Sequence, residues 1–161
     1  MRNIKISKVT LNIGCGTTTP IDHAKTILEK FADNKVVITK TSKRTTFNVP
    51  KNKPIGVKVT IRKNAGEFLR RMLAAKENRL SAGSFDSTGN FAFGIKEYID
   101  VPDADYDPKL KILGFDVCVT LERPGYRVKK KLIASPVGKR HRITKEEAID
   151  FAKETFGVKV E

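Results

Sequence analysis

Lysine and arginine crowd into two stretches of the sequence from which acids are missing. Asn34 to Gly66 holds nine of them (Lys35, Lys40, Lys43, Arg44, Lys51, Lys53, Lys58, Arg62 and Lys63), and Arg123 to Arg142 holds eight (Arg123, Arg127, Lys129, Lys130, Lys131, Lys139, Arg140 and Arg142). The chemistry these residues offer is phosphate binding. In KTSKRTTFNVPKNKPIG (Lys40–Gly56) the cations alternate with threonine and asparagine, which set short donors and acceptors beside them. The 161-residue chain has a formal charge of +14, and the two stretches hold 17 of its 32 basic residues. The remainder carries 15 bases against 18 acids, a net of −3. A surface charged for solubility intersperses the signs, whereas two acid-free blocks form a footprint for a polyanion. The plainer alternative is a pair of solvated loops that happen to be basic.

Other constellations are weaker. Gly14-Cys15-Gly16 opens like a dinucleotide fingerprint, but Thr19 stands where the third glycine belongs, so a tight strand-to-helix turn explains it better. His23 and His141 have no carboxylate or cysteine at ligand spacing, and His141 belongs with the basic patch. Asp100, Asp103, Asp105 and Asp107 lack the glycine turn and terminal glutamate of a calcium loop and read as turn chemistry beside Pro102 and Pro108. Cys15 and Cys118 stand alone and are expected to be buried reduced thiols. No nucleophile, base and orienting group assemble, so no enzyme, no cofactor and no metal site is expected.

The elements that must hold the cations follow from periodicity. Ile4, Ile6, Val9, Leu11 and Ile13 have strand spacing with a slip near Val9; Val36–Thr39, Ile55–Arg62, Asn90–Tyr98 and Gly114–Glu122 supply four more strands. Tyr126–Ile133 is a further segment that can pair with Gly114–Glu122 across Arg123-Pro124-Gly125. Helices are expected over Ile21–Ala32, capped by Thr19 or Asp22; from Asn64, with Glu67 as its capping partner, to about Asn78; and from the Thr144–Glu147 capping box to Thr155. The fold class is α+β: an antiparallel (mixed) sheet of about five strands with helices packed on one side, plus extended basic loops, in a single domain over residues 1–161. No apolar run approaches the roughly 20 residues of a membrane helix. The N-terminus alternates instead of forming a signal core, so a cytoplasmic chain is expected. Phe91, Phe93 and Ile95 share one face and are read as core in preference to base-stacking groups. If the strands pair, Asn12, Lys58, Thr60 and Arg62 share a polar face with the cationic loop at its rim.

Four ordered stretches, VTLNIGCG, VITKTSKRTTFNVPKNKPIGVKVTIR, SFDSTGNFAFGIKEYIDVP and DYDPKLKILGFDV, closely resemble the large-subunit ribosomal protein five family, the proteins that bind 5S rRNA. The likeness runs over roughly residues 2 to 157. LERPGYRVKKKLIASPVGKRHRITKEEA resembles the archaeal and eukaryotic form, since bacterial members lack most of that basic insertion.

The resemblance implies a structural constituent of the large subunit that attaches 5S rRNA to the large-subunit rRNA in the central protuberance. It implies that a polar sheet face meets 5S rRNA, at positions matching Asn12, Asn34 and Thr60; Lys58 and Arg62 join them from the strand reading. The loop Thr41–Lys53 would approach the P-site tRNA, with Lys40, Lys43, Arg44, Lys51 and Lys53 as its contacting cations. Small-subunit ribosomal protein thirteen would be touched across an intersubunit bridge, through the segment near Gly83–Asn90 or the Asp100–Asp107 loop. The second basic block would clamp rRNA. The competing reading is a nonspecific architectural nucleic-acid binder.

Overall fold

The computed structural model describes residues 1–16, 19–44, 49–102 and 104–161. Five strands form one antiparallel sheet in the order β2-β3-β1-β6-β5: β1 (Lys5–Gly14), β2 (Val37–Lys40), β3 (Pro54–Ile61), β5 (Phe91–Ile95) and β6 (Phe115–Glu122). A separate two-stranded parallel pair, β4 (Arg79–Leu80) with β7 (Lys159–Val160), ties the C-terminus to the segment after the second helix. The helices are α1 (Ile21–Phe31), α2 (Ala65–Ala74) and α3 (Lys145–Phe156). The α+β class follows, with the antiparallel sheet that the alternation predicted.

Period-two alternation puts Val9, Leu11 and Ile13 on one face of β1, with Val57, Val59 and Ile61 of β3 and Val117, Val119 and Leu121 of β6 beside them, all buried. Phe91, Phe93 and Ile95 of β5 are buried with them, so they belong to the core. Helix α1 closes over this face with Ala24, Ile27, Leu28 and Phe31, and α2 with Leu69, Met72 and Leu73. Each large apolar side chain removed from water here contributes roughly 1.5–3 kcal/mol. The helices therefore cover one face and leave the other open.

Several local expectations need correction. The slip expected near Val9 is present, between Ile6 and Lys8, and is not among them. Helix α1 is capped by Pro20 without a side-chain hydrogen bond, so neither Thr19 nor Asp22 caps it. Asn64 does precede α2, but in the left-handed region (φ 52°), which turns its side chain out of capping geometry; α2 ends at Ala74, short of Asn78. Cys118 is exposed, because the alternation that buries Val117 and Val119 turns it outward. Partial burial of its sulfur and the neighbouring Asp116 carboxylate push its thiol pKa up. Asp103, one of the four aspartates singled out above, lies outside the described residues.

The segment Tyr126–Ile133 is not a sixth strand. Gly125, at φ 99°, takes a conformation that L side chains rarely adopt, and the chain enters a 3₁₀ turn over Tyr126–Lys130 instead. Strand β6, the partner the sequence suggested for it, already pairs with β1 on one side and β5 on the other and so has no free edge to offer.

Candidate nucleic-acid interface

The open face of the sheet is built by register. Asn12 pairs with Lys58 of β3 on one side and Asp116 of β6 on the other; Thr10 pairs with Thr60 and with Cys118; Lys8 pairs with Thr120. The strands thus bring Asn12, Lys58 and Thr60 together. Arg62, exposed one residue beyond β3, continues the Lys58-Thr60 parity at the rim. Asn34 is not part of this row. It is exposed in the turn between α1 and β2, lining a groove with Phe31, Ile61, Lys63 and Arg71.

Lys8, Thr10, Asp116, Cys118 and Thr120 of this face were not among the residues expected from sequence. Thr10 and Asp116 sit directly beside the expected ones, and the clean alternation of GFDVCVTLE already fixed the parity of Asp116. The face consequently has a cationic half on β3 and β1 and an acidic spot on β6.

The first basic loop leaves the edge of this sheet. Thr41 closes its base: its hydroxyl donates to the Pro50 carbonyl at 2.7 Å and accepts from the Lys53 N–H at 3.1 Å, while its backbone N–H donates to the Lys53 carbonyl at 2.9 Å. Lys40, Lys43, Arg44, Lys51 and Lys53 are all exposed around that closure. Thr45 to Asn48, also within the expected contact loop, lie outside the described residues.

The second block divides into a buried base and an exposed apex. Arg123 is only 7% exposed; its guanidinium donates to Glu147 Oε1 at 2.8 Å and to the carbonyls of Arg142 at 3.2 Å and His141 at 3.4 Å. Tyr126 Oη donates to the His141 carbonyl at 3.2 Å and accepts from the Ile143 N–H at 3.1 Å. His141 Nε2 lies 2.9 Å from the Pro124 carbonyl, which can only accept, so that nitrogen carries the proton. His141 is therefore part of the loop's base. Arg127, Lys129, Lys130, Lys131, Lys139, Arg140 and Arg142 remain exposed. Of these, Lys130 stands 2.6 Å from Glu122. The grouping of eight equivalent cations thus resolves into one structural arginine, one ion-paired lysine and six others.

Glu147 joins this base to α3. It is the third residue of that helix and completes the capping box with Thr144, as the sequence indicated. The Thr144 backbone N–H, and then the Arg123 guanidinium, hold its carboxyl below the usual glutamate range. A lowered folded-state pKa means that the unfolded chain binds the proton more readily, so this contribution is present above the ordinary glutamate pKa and is lost as pH falls through the folded value. Acidification below about pH 4 is expected to loosen the 124–142 base, seen as faster amide exchange there, and Glu147→Gln is expected to flatten that pH dependence.

Residues 54–151 match the family model that describes the C-terminus of the ribosomal protein five (uL5) family. The chain is 44% identical to the large ribosomal subunit protein uL5 of Sulfolobus acidocaldarius, covering 99% of this chain and 92% of that protein. It is 43% identical to uL5 of Cenarchaeum symbiosum (99% and 97% covered) and 42% identical to uL5 of Methanococcoides burtonii (100% and 98%). With a polar open sheet face flanked by two basic loops, and archaeal relatives matched over nearly their whole length, the chain belongs to the ribosomal protein uL5 family.

Proposed function

We infer that the chain is a structural, non-enzymatic constituent of the large ribosomal subunit in the cytoplasm, and that its open sheet face binds 5S rRNA. The observation that carries this reading is the register that places Asn12, Thr60, Thr10 and Lys58 side by side on a face no helix covers. Short amide and hydroxyl groups on a flat surface suit the shallow RNA minor groove, where 2′-hydroxyls and base edges are presented. Lys58 and Arg62 hold phosphates at the β3 side. Asp116 excludes phosphate from the β6 side and accepts from a base N–H or a 2′-hydroxyl, which fixes the RNA's orientation across the sheet.

The second block meets large-subunit rRNA and so helps attach 5S rRNA to it in the central protuberance. The loop Thr41–Lys53 approaches the P-site tRNA through Lys40, Lys43, Arg44, Lys51 and Lys53, and Thr41 holds its two ends together for that purpose. The segment Gly83–Asn90 or the Asp100–Asp107 loop touches small-subunit ribosomal protein thirteen across the subunit bridge. Asn34, away from the row, contributes at most a contact at the edge of the 5S footprint.

Equilibrium binding to transcribed 5S rRNA and to a size-matched folded RNA, across a salt series, tests the central claim. Selectivity for 5S rRNA is expected to persist at high salt. Thr60→Val keeps the shape of the side chain and removes its hydrogen bonding; it is expected to weaken 5S binding about 5- to 10-fold while leaving the salt slope unchanged. Equal curves for the two RNAs throughout would favour a nonspecific architectural binder instead.

A further inference from the structure

A groove of about 420 Å³ lies between the Asp86–Asn90 turn and the second basic loop. Tyr126, Pro136 and Val137 give it an apolar surface, and Lys129 and Arg142 supply cations from the same loop. Ser87 and Thr88 line it from the turn. We propose that this groove takes a single unstacked RNA nucleotide, its base against Tyr126 and Val137 and its phosphate on Lys129 and Arg142. The inference deepens the assignment of the second block to rRNA and rests on it.

Three features make the groove suited to that ligand. First, the Tyr126 ring is held before any ligand arrives: its hydroxyl is fixed by the His141 carbonyl and the Ile143 N–H, and the His141 ring meets it edge-on at 5.7 Å between centroids. A fixed aromatic ring loses little freedom when a base stacks on it. Second, the turn wall is a set of acceptors. Ser87 and Thr88 donate their hydroxyl protons to Asp86, at 3.2 and 2.6 Å; Thr88 Oγ1 also accepts from Asn90 Nδ2 at 2.9 Å, so Ser87 Oγ and the second lone pair of Thr88 Oγ1 are left to accept from a base amino or imino group. Third, the turn is anchored. Gly89 has φ +80°, and a Cβ there would come within 2.4 Å of Ile143 Cγ2, so the turn rests directly on the residue that follows the basic loop.

The ligand must therefore bring an anion for one wall, donors for the other and a flat apolar body between them. A nucleotide has all three. Inorganic phosphate or an acidic peptide satisfies the cations alone, and a continuous duplex has no base face free to enter.

The test is a nuclear magnetic resonance titration of the full chain, following the Tyr126 ring and Val137 methyl resonances. The ligands are a short single-stranded RNA of mixed sequence, the same sequence as a blunt duplex, inorganic phosphate, and an acidic peptide of equal charge. The single strand is expected to shift both sets of resonances upfield, while the other three leave them in place. Val137→Ser should lower single-strand affinity about 5- to 10-fold at constant salt slope, and Lys129→Ala should reduce the slope by about 0.7. Equal shifts from duplex, phosphate or peptide would overturn the proposal, as would a single strand that moves neither resonance. Thr60→Val should retain the full single-strand response while losing 5S affinity, so failure of the groove and failure of the sheet-face reading are separable.

Discussion

Arg123→Leu is expected to free the second basic loop from the body of the protein. The replacement leaves the His141 and Arg142 carbonyls and the Glu147 carboxylate without their shared donor. The guanidinium is buried, although Glu147 is 43% exposed and recovers part of its hydration. The loss should be about 2–3 kcal/mol, the range for removing one partner of a buried charged hydrogen-bond set. Amide exchange across 124–142 should accelerate far more than exchange in β1 or β3, and the melting temperature should fall. Affinity for large-subunit rRNA should drop because the loop must be ordered on binding, yet the salt slope should stay near its original value, since every exposed cation is still present. An Arg123 in contact with phosphate would give the opposite pair of results: a reduced slope with unchanged exchange. Arg123→Lys should recover little, because a single ammonium cannot reproduce the fork that reaches both carbonyls and the carboxylate.

The second large effect comes from the exposed cations. Substituting Arg127, Lys129, Lys131, Lys139 and Arg140 together by alanine is expected to lower the salt slope for large-subunit rRNA by about 4 and the affinity at moderate salt by roughly 10² to 10³. None of these five side chains takes part in the loop's hydrogen-bonded base, so melting temperature and amide exchange should change little. Lys130→Ala alone should do less than the average of the five, because Glu122 already competes for its ammonium. A slope that falls by less than about 1 in the fivefold variant would place the rRNA contact elsewhere on the molecule.

The parts of this fold that could be read from sequence are those governed by a short period. The alternation in IGVKVTIR and GFDVCVTLE identified β3 and β6, and in β3 the face each residue takes, although Cys118 of β6 was expected inside and lies outside; apolar spacing at three and four residues identified α1 and α2. The parallel pair of Arg79–Leu80 with Lys159–Val160 was invisible because two residues per strand carry no period and the partners lie far apart in the chain. Tyr126–Lys130 had strand-like composition, but its conformation is decided by Gly125 and by the hydrogen bonds from Tyr126 to residues 141 and 143. The site followed the same division. Which residues are cationic was evident; that Arg123 is buried in the base of its own loop depends on a contact with Glu147, 24 residues away. Asp116 was legible by parity and overlooked by charge.

The outermost strand bears on how the chain survives before it reaches its RNA. Strand β2 is only four residues long and forms one border of the sheet, with Val37 and Ile38 both substantially exposed. An open border with apolar side chains invites a second copy to add on by backbone pairing. Here that growth is obstructed: the strand is short, its regular pairing is broken between Thr39 and Lys40, and Lys35 and Lys40 bracket the apolar pair with charge. The bulged end of β2 and the lysines on either side of it hold free copies apart.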